Sequence, residues 1–286
     1  MIFIPLFAAA FLALIFLYCV KKYKETSYYK NTKHSYLSVL NNLGRYGEYL
    51  TFKKLEKFED IGAKFLFNLY IPKSNGETTE IDMIMICSKG IFIFESKNYS
   101  GWIFGSENQK NWYQTLPSGK RKSHKEVFYN PIMQNRTHIK HLDKLIGTPL
   151  PMYSIVVFSD RCTFKDIQIE SSDVSLVYLS QVNQVVSNVL NYDDGSSLDE
   201  NRILVIYDKL YPYTQVSEIQ KIQHIQNIRD NKNSHYNNFS NNTQNLKCPK
   251  CGGTLVLRTA KRGANSGNQF YGCSNYPKCR YMENIK

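Results

Sequence analysis

Apolar residues recur along most of this chain with two spacings, one typical of amphipathic helices and the other of β-strands. The helical spacing is clearest over residues 36–58, where Leu43, Leu50 and Phe58 lie near one side. Apolar runs with strand-like composition occupy five further stretches: residues 64–71, 79–87, 91–96, 152–159 and 173–179. Because such segments alternate with short breaks, we expect one α/β domain over residues 38–212.

A second helix is delimited by signals at both of its ends. Asn130 can cap the N-terminus, Pro131 suits the first helical position, and Gly147 suits the C-terminal stop. Further along, residues 202–210 fit a strand or a helix, and their apolar spacing does not decide between the two.

The first residues form a separate segment. Residues 2–20, nineteen in number, carry no charge and are followed at once by Lys21 and Lys22. At the helical rise they span about 28 Å, close to the hydrocarbon thickness of a bilayer. No Lys or Arg precedes the run and no small-residue cleavage site follows it, which favours an uncleaved transmembrane anchor over a signal peptide. The flanking lysines predict a single-pass protein of the cell membrane with residues 21–286 in the cytoplasm.

The composition changes again beyond residue 212. Residues 213–247 begin with a helical rhythm and end as an Asn-rich, low-complexity linker. The chain is therefore divided into five predicted segments: an anchor at residues 1–22, a basic tether at 23–37, the α/β domain at 38–212, the linker at 213–247 and a cysteine-bearing module at 248–286.

The overall charge indicates an anionic partner. Lys and Arg number 36 against 24 Asp and Glu, which gives a net charge of +12. Such an excess favours binding to nucleic acid or to an acidic lipid surface. A basic protein without any polyanionic partner would carry the same charge, so the decision depends on residues with specific chemistry.

Four of the seven cysteines lie close to the C-terminus: Cys248, Cys251, Cys273 and Cys279. Two residues separate the first pair and five separate the second. Four thiolates match the tetrahedral coordination of structural Zn²⁺, and a module of about forty residues needs such a cross-link to fold. Free or disulfide-linked cysteines are the alternative, but a reducing compartment disfavours disulfides. We therefore predict a zinc site.

The sequence around these cysteines resembles the C4 zinc ribbons at the C-termini of bacterial type IA DNA topoisomerases. The resemblance rests on the segments CPKCGG and QFYGCSNYPKCRY and on the basic stretch between them. It implies binding of single-stranded DNA, for which interleaved cations and aromatic rings are suited. The implied nucleic-acid-binding residues are Arg258, Lys261, Arg262, Phe270, Tyr271, Tyr276, Lys278 and Arg280. A ribbon used for protein contact is the alternative.

Two charged residues, Glu95 and Lys97, end the third apolar run. If the runs on either side of Ser-Lys-Gly pair as a hairpin with an even loop, Asp82 lies directly across from Glu95, with the two Cβ atoms about 5 Å apart. Lys97 and Glu80 then project from the same face of the hairpin. Facing carboxylates repel each other, so a hairpin that carries them is weakened unless a cation compensates.

A divalent metal ion between the two carboxylates would turn this repulsion into a binding site. Asp82 and Glu95 offer the oxygen ligands that Mg²⁺, or Mn²⁺, prefers. Lys97 can orient or deprotonate a metal-bound water and neutralise developing phosphate charge. This combination predicts metal-assisted hydrolysis of a phosphodiester. For an isolated E-x-K sequence, a solvent-exposed Glu–Lys pair is the alternative.

The surrounding segments resemble the nuclease-related domain, NERD, which belongs to the restriction-endonuclease-like PD-(D/E)xK superfamily. Four blocks occur in the order found in that family: GRYGEYL, EIDMIMI, GIFIFESKNYSGWIFG and NPIMQN. The resemblance covers roughly residues 40–160 and implies a mixed sheet flanked by helices. It also implies a catalytic set: Glu48, Asp82, Glu95, Lys97 and Gln134. Within that set, Glu48 would join Asp82 and Glu95 as a magnesium ligand.

Two glycines beside Glu48 have a predicted structural consequence. Gly44 and Gly47 each cost the helix about 1 kcal/mol relative to Ala. That cost predicts close approach of another backbone near Glu48.

His138 and His141 share a helix face with Gln134. The spacing suits two metal ligands, but no third is visible, so we interpret both histidines as solvated or phosphate-facing. Trp102 and Trp112 are interpreted as packing residues.

These features predict a fold class and a function. The fold is expected to be α/β with a restriction-endonuclease-like core, an N-terminal transmembrane helix and a small C-terminal zinc ribbon. The function is expected to be that of a membrane-anchored, metal-dependent nuclease that hydrolyses DNA, with Mg²⁺ or Mn²⁺ in the nuclease site and structural Zn²⁺ in the ribbon. Expected partners are nucleic acid, above all DNA, and the membrane. The alternative is a non-catalytic protein that holds DNA at the membrane and keeps a nuclease-like fold.

Overall fold

The computed structural model describes the backbone of residues 3–118, 122–193, 195, 197–243, 247–260 and 269–284. The chain forms two compact units, Met1–Ser217 and Glu218–Lys286. The helices are α1 (Phe3–Glu25), α2 (Ser27–Thr32), α3 (Tyr36–Leu40), α4 (Leu43–Leu55), α5 (Pro131–Ile146), α6 (Val182–Asn191), α7 (Glu200–Leu210) and α8 (Glu218–Thr243). The strands are β1 (Lys64–Pro72), β2 (Thr78–Cys87), β3 (Gly90–Lys97), β4 (Gly101–Ser106), β5 (Asn111–Ser118), β6 (Lys122–Tyr129), β7 (Met152–Phe158), β8 (Cys162–Gln168), β9 (Val174–Tyr178), β10 (Leu255–Thr259), β11 (Gln269–Cys273) and β12 (Met282–Asn284).

The first unit is built on a five-stranded mixed sheet in the order β1-β2-β3-β7-β9. β1, β2 and β3 pair antiparallel, whereas β7 and β9 continue the sheet parallel to β3. Cys87 pairs with Gly90 across the hairpin, so the predicted even loop and register are confirmed. That register brings Asp82 and Glu95 to the same level of the sheet.

Apolar side chains cover both faces of this sheet, which explains the nearly continuous apolar runs of its central strands. On one face, α4 and α6 pack through Phe52 and Val186 against strand residues that include several phenylalanines. On the other face, α5 and α7 pack through Leu142 and Ile206 against isoleucines of β2 and β3. The result is a mixed α/β architecture.

A second, four-stranded sheet has the order β6-β5-β4-β8, and the apolar pattern did not predict it. One face packs on the unit through Ile103 and Trp112, both fully buried. Gly105 lies so close to Trp112 that an added Cβ would come within 2.4 Å of the indole ring. Trp112 is therefore a packing residue as predicted. Trp102 is 51% exposed on the opposite face, so its interpretation as a packing residue is wrong.

The N-terminal segment forms α1, which ends inside the first unit. Tyr23 is buried, and its ring contacts those of Tyr36 and Tyr49. Over the residues that the structure describes, no helix combines the length and the apolarity needed to cross a membrane.

This finding corrects the predictions made from the apolar run at residues 2–20. The transmembrane helix in the predicted fold class is wrong, as is the single-pass membrane localisation, and the membrane partnership is not supported. The hydropathy of residues 2–20 gives no information about the contacts of the next helical turn. Here that turn carries Tyr23 into a protein core.

Several helix boundaries coincide with capping residues that can be identified in the sequence. Asn130 accepts a hydrogen bond from the amide of Ile132 at the start of α5, and Gly147 ends that helix with φ 70°, as predicted. The helix predicted over residues 36–58 is instead divided into α3 and α4, because Asn42 caps α4. Residues 202–210, which fitted a strand or a helix, belong to helix α7.

The second unit contains α8 and an antiparallel sheet in the order β10-β11-β12. Its small core consists of Leu255 and three of the four C-terminal cysteines. α8 extends to Thr243, through most of the Asn-rich stretch.

Candidate functional site

The candidate site lies where β2 and β3 separate. Their backbone pairing ends at Met83 and Phe94, one position before Asp82 and Glu95. At that point the amide of Ser96 donates a hydrogen bond to Asp82 Oδ2 over 3.0 Å. A side-chain carboxylate takes the place of a backbone acceptor, so the two strands open at the level of the two acids.

Lys97 connects three of the predicted catalytic residues. Its Nζ donates to Glu95 Oε1 over 2.6 Å and to Gln134 Oε1 over 3.3 Å. Glu95 is 1% exposed, and the Lys97 side chain is 15% exposed. The pair is therefore largely removed from water, and the alternative of a solvent-exposed Glu–Lys pair does not describe it.

His138, one turn after Gln134 on α5, is buried, so its interpretation as solvated or phosphate-facing is wrong. Its Nε2 lies 3.2 Å from Glu95 Oε2, and its Nδ1 lies 2.8 Å from Thr79 Oγ1. A neutral ring satisfies both contacts when the Thr79 hydroxyl donates to Nδ1 and Nε2–H donates to Glu95. The four-residue spacing from Gln134 was the signal for this residue, but spacing does not show burial.

His141, one turn further along α5, is half-buried. Burial lowers its pKa, and the neighbouring Lys73 and Lys140 act in the same direction. It takes no part in the contacts with Glu95 and Lys97 described above.

Glu48 approaches the acids from α4. An added Cβ on Gly47 would come within 2.7 Å of Asn98 Cβ and 3.6 Å of Asn98 Cα, so the close neighbour there is mainly a side chain. At Gly44 the nearest atom in the described structure is Asn42 Oδ1 at 3.4 Å, and the predicted backbone approach is not seen. Among the residues that the structure describes, none forms a hydrogen bond with the buried Glu48 Oε2. Burial, together with the negative charges of Glu80 and Glu95, raises the pKa of Glu48 to about 7.

Glu95 is fully buried, whereas Asp82, Glu48 and Lys97 are partly buried. These four groups act on one another. Burial, followed by the charges of Glu95 and Glu48, raises the pKa of Asp82 well above its ordinary value. Burial acts on Glu95 in the same direction, but Lys97 and His138 outweigh it and lower the pKa of Glu95. Burial by itself would lower the pKa of Lys97, yet Glu95 and Asp82 raise it. The Lys97 ammonium faces Glu95 and Asp82, and Glu48 adds a third carboxyl group that acts on Asp82, so further positive charge would be stabilised here.

This donor set fits a hard divalent cation such as Mg²⁺. Carboxylate oxygens are its preferred protein ligands, and it retains several waters, so one or two carboxylates suffice. Glu48 Oε2 is an acceptor without a partner. Glu95 accepts one hydrogen bond on each oxygen and keeps further lone pairs. Among the side chains described, the three acids do not form a compact three-ligand cluster as the cysteines do, so water would complete the coordination.

Buried amides hold α5 against the sheet. Asn130 Nδ2 donates to three carbonyl groups of the turn at residues 106–109, over 3.2, 2.9 and 2.7 Å. Asn135 Nδ2 donates to the Ile93 carbonyl over 3.0 Å and to Ser154 Oγ over 2.9 Å. These contacts fix the helix that carries both site residues, Gln134 and His138.

The four predicted zinc ligands converge in the second unit. The Sγ atoms of Cys248, Cys251, Cys273 and Cys279 all lie within 4.8 Å of one another. The Asn275 amide donates to Cys273 Sγ over 3.4 Å, a contact that stabilises a thiolate. Four sulfur atoms at this spacing fit tetrahedral Zn²⁺.

Aromatic residues and Arg258 lie on two sides of the ribbon sheet. Arg258 pairs with Phe270 across β10 and β11, and its guanidinium carbon lies 5.8 Å from the centroid of the Tyr276 ring. Tyr276 is 61% exposed. Tyr271 follows Phe270 and packs against the cysteine cluster instead. The side with Arg258, Phe270 and Tyr276 is therefore the one suited to stacking.

The remaining predicted cations of the ribbon are only partly described. Lys278 and Arg280 are exposed on either side of the buried Cys279. Lys261 and Arg262 lie outside the described residues.

Comparisons with known proteins match the two units separately. The family described as nuclease-related domain matches residues 43–159, and the topoisomerase DNA binding C4 zinc finger matches residues 245–286. No solved structure matches the chain.

Known relatives match parts of the chain. An uncharacterized protein of Bacillus anthracis is 34% identical over 145 residues, which are 51% of this chain and 66% of that protein. DNA topoisomerase 1 of Methanocaldococcus jannaschii is 62% identical over 38 residues, 13% of this chain and 4% of the topoisomerase. The uncharacterized protein YrdD of Escherichia coli is 49% identical over 39 residues, 14% of this chain and 19% of YrdD. The chain therefore combines a nuclease-related domain at residues 43–159 with a topoisomerase-type C4 zinc ribbon at residues 245–286.

Proposed function

We propose that this chain is a metal-dependent nuclease that hydrolyses phosphodiester bonds of DNA. The observation that carries the proposal is the arrangement around Lys97, whose ammonium contacts buried Glu95 and Gln134 beside Asp82. Perturbed, mutually interacting ionisable groups of this kind are typical of active sites. The match to a nuclease-related domain supports the same conclusion.

In the proposed site, Asp82 and Glu95 would hold Mg²⁺, with Glu48 assisting directly or through water. The cation would supply Lewis-acid chemistry, namely a more acidic bound water and compensation of phosphate charge. Lys97 is already protonated and faces the acids, so it orients the attacking water and neutralises negative charge that develops on the phosphate. Gln134 accepts from Lys97 and limits the positions that its ammonium can take.

His138 would act as a positioning residue for Glu95. The Thr79 hydroxyl contacts one ring nitrogen of His138 and Glu95 contacts the other. A histidine held in this way fixes the rotamer of the carboxylate it contacts, as hydrogen-bonded partners of metal ligands commonly do.

We infer that the C4 ribbon binds a structural Zn²⁺ and single-stranded DNA. Arg258, Phe270 and Tyr276 offer one cation and two aromatic rings on the same side of its sheet, which suits stacking on unpaired bases. The topoisomerase-type match supports this role.

A second candidate function is binding of DNA without cleavage. It is favoured by the hydrogen bonds of Glu95, whose two oxygens already contact Lys97 and His138. A protein that only holds DNA would keep this internal ion pair and would need no divalent cation at Glu95.

A cleavage assay separates the two functions. The full chain is incubated with single-stranded and duplex DNA, with and without Mg²⁺, beside Glu95→Ala. We expect Mg²⁺-dependent cleavage by the unaltered protein and none by the variant, with circular dichroism unchanged. Equal cleavage by Glu95→Ala would remove this site as the catalytic centre, and tight binding with no cleavage of any substrate would favour the second function.

A further inference from the structure

The four-stranded sheet of the first unit has an outer face, opposite to the face that packs through Ile103 and Trp112. By register, Trp102 and Phe104 of β4 lie beside Thr115 and Tyr113 of β5. Tyr113 in turn lies beside Val127 of β6. Trp102 is 51% exposed and Val127 is 60% exposed. The face therefore displays three neighbouring aromatic rings without a helix packed on them.

Two lysines stand over these rings. Lys125 Nζ lies 3.9 Å from the centroid of the Tyr113 ring, and Lys165 Nζ lies 5.2 Å from that of Trp102. Both lysines are exposed, and Asp166 lies beside Phe104 at the β8 edge. Cations over ring faces are stabilised by the ring quadrupole. They also remain free to turn toward a stronger anion, which would uncover the rings.

We propose that this outer face binds a single-stranded polynucleotide, with bases stacked on Trp102 and Tyr113 and phosphates bound by Lys125 and Lys165. Flat aromatic residues on an antiparallel sheet, with cations at their edges, are what stacking on unpaired bases requires. Bases of a duplex are stacked on each other and do not offer their faces. The binding adds a second nucleic-acid surface to the chain and does not require that the chain cleaves its ligand.

The lysines also argue against a protein as the occupant. The centres of protein–protein interfaces are depleted in lysine, because burying an ammonium without an anion costs free energy. Here Lys125 and Lys165 project from the edge strands β6 and β8, with Nζ over the rings of Tyr113 and Trp102, so a partner that covers these rings also covers both ammonium groups. A phosphate backbone supplies the anions that they need.

The face lies close to the candidate active site along the chain. Trp102 lies five positions after Lys97, and five extended residues span at most about 18 Å. A strand of nucleic acid bound on the outer face would therefore be held within a short distance of Lys97.

Trp102 provides a local readout of this binding. The chain has two tryptophans, of which Trp112 is fully buried and Trp102 is half exposed. The zinc ribbon at residues 248–286 contains none, so DNA bound only there does not contact an indole. Acrylamide quenching of Trp102 is measured with and without an oligothymidylate of about 15 nucleotides, in the Glu95→Ala chain without added Mg²⁺. Anisotropy of the labelled oligonucleotide reports total binding.

We expect the oligonucleotide to protect Trp102 from acrylamide, and Trp102→Phe to remove the protected signal. Tyr113→Ala should raise the Kd for protection about tenfold, since loss of one stacked base costs that much. The double variant Lys125→Ala, Lys165→Ala should weaken binding. The slope of log Kd against log salt concentration should fall by about 1.4, since two phosphate contacts are lost. Lys57 lies 5.1 Å from the ring of Phe58, which is buried, so Lys57→Ala is the matched control and should change neither value.

Three results would overturn the proposal. Unchanged quenching of Trp102, while anisotropy shows bound oligonucleotide, would assign all binding to other surfaces. Absence of any oligonucleotide binding to the chain would show that the outer face does not bind single-stranded DNA. Trp102 could also become protected from acrylamide as protein concentration rises without oligonucleotide. If analytical ultracentrifugation then showed dimers, the face would be a contact between two copies of the chain. Because no cleavage is measured, these outcomes are independent of the proposed hydrolysis.

Discussion

Two buried acidic regions of the first unit differ in how their charge is satisfied. Glu107, 5% exposed, accepts hydrogen bonds from Ser171 Oγ over 2.6 Å, from the amides of Glu170 and Ser171 over 2.8 and 2.9 Å, and from Arg136 over 2.6 Å. The Ser171 and Arg136 contacts lower the pKa of Glu107 to about 2. Every lone pair that faces the protein has a donor.

Asp82 and Glu48, two of the three acids near Lys97, have fewer donors. Asp82 accepts from one backbone amide, and Glu48 Oε2 has no partner. Burial and neighbouring carboxylates raise the pKa of both. A carboxylate whose oxygens all accept hydrogen bonds from the protein needs no further partner. Acids removed from water with fewer hydrogen-bond donors require a ligand or a proton. The comparison supports a structural role for Glu107 and agrees with the functional role proposed for Asp82.

The largest expected effect separates these two acids by activity. Asp82→Asn removes a proposed metal ligand, so Mg²⁺-dependent DNA cleavage should fall by at least about 100-fold. Glu107→Gln should leave the initial rate within about threefold at a temperature where the variant is folded. A comparable loss in both variants would show that Asp82 has no special role in cleavage.

The next effect concerns the residue that positions Glu95. His138→Ala should lower activity by about 10- to 100-fold and raise the Mg²⁺ concentration needed for half-maximal rate. His138→Gln, which can still donate to Glu95, should recover part of both losses. A purely structural histidine would change the amount of folded protein without moving the Mg²⁺ requirement, and that outcome would contradict the positioning role.

A smaller effect is expected on stability. Glu48→Gln removes a buried negative charge that faces Glu80 and Glu95, so the metal-free first unit should gain about 1 kcal/mol of unfolding free energy. Urea denaturation measures this change, with Glu107→Gln as the comparison, which should lose stability. A destabilised Glu48→Gln protein would mean that the Glu48 carboxylate has a stabilising partner.

The smallest effect is a pH dependence confined to Glu107. Its pKa is lower in the folded state, about 2, than its ordinary value of 4.5, so the unfolded chain binds the proton more readily between these values. Its contribution to stability is therefore complete above pH 4.5 and is lost as pH falls through about 2. The difference in urea midpoint between wild type and Glu107→Gln should shrink over that window. A difference that stays constant with pH would contradict the ionised contacts.

The central hairpin was predictable because its chemistry is local. An even loop and a two-residue side-chain period are enough to bring Asp82 level with Glu95. The cysteines were predictable for a similar reason, since their types and spacing already indicate a zinc ligand set. Helix caps at Asn130 and Gly147 likewise depend on neighbouring residues alone.

Features that depend on distant contacts were not predictable in this way. The burial of His138 requires Thr79 and Glu95, which are 59 and 43 residues away. The second sheet was missed because consecutive residues of β6, from Lys125 to Val127, are all exposed. Apolar and polar residues therefore do not alternate along this strand. The apolar N-terminal run was misread because hydropathy does not reveal that Tyr23 is packed in the first unit.

Binding of Mn²⁺ in place of Mg²⁺ tests the central claim most directly. Electron paramagnetic resonance of the full chain, with its zinc retained, counts the bound Mn²⁺ ions in the wild type and in Asp82→Asn and Glu107→Gln. We expect the wild type and Glu107→Gln to bind Mn²⁺ and Asp82→Asn to lose this binding. Equal Mn²⁺ binding by all three proteins, or none by the wild type, would contradict a cation site formed by the buried acids.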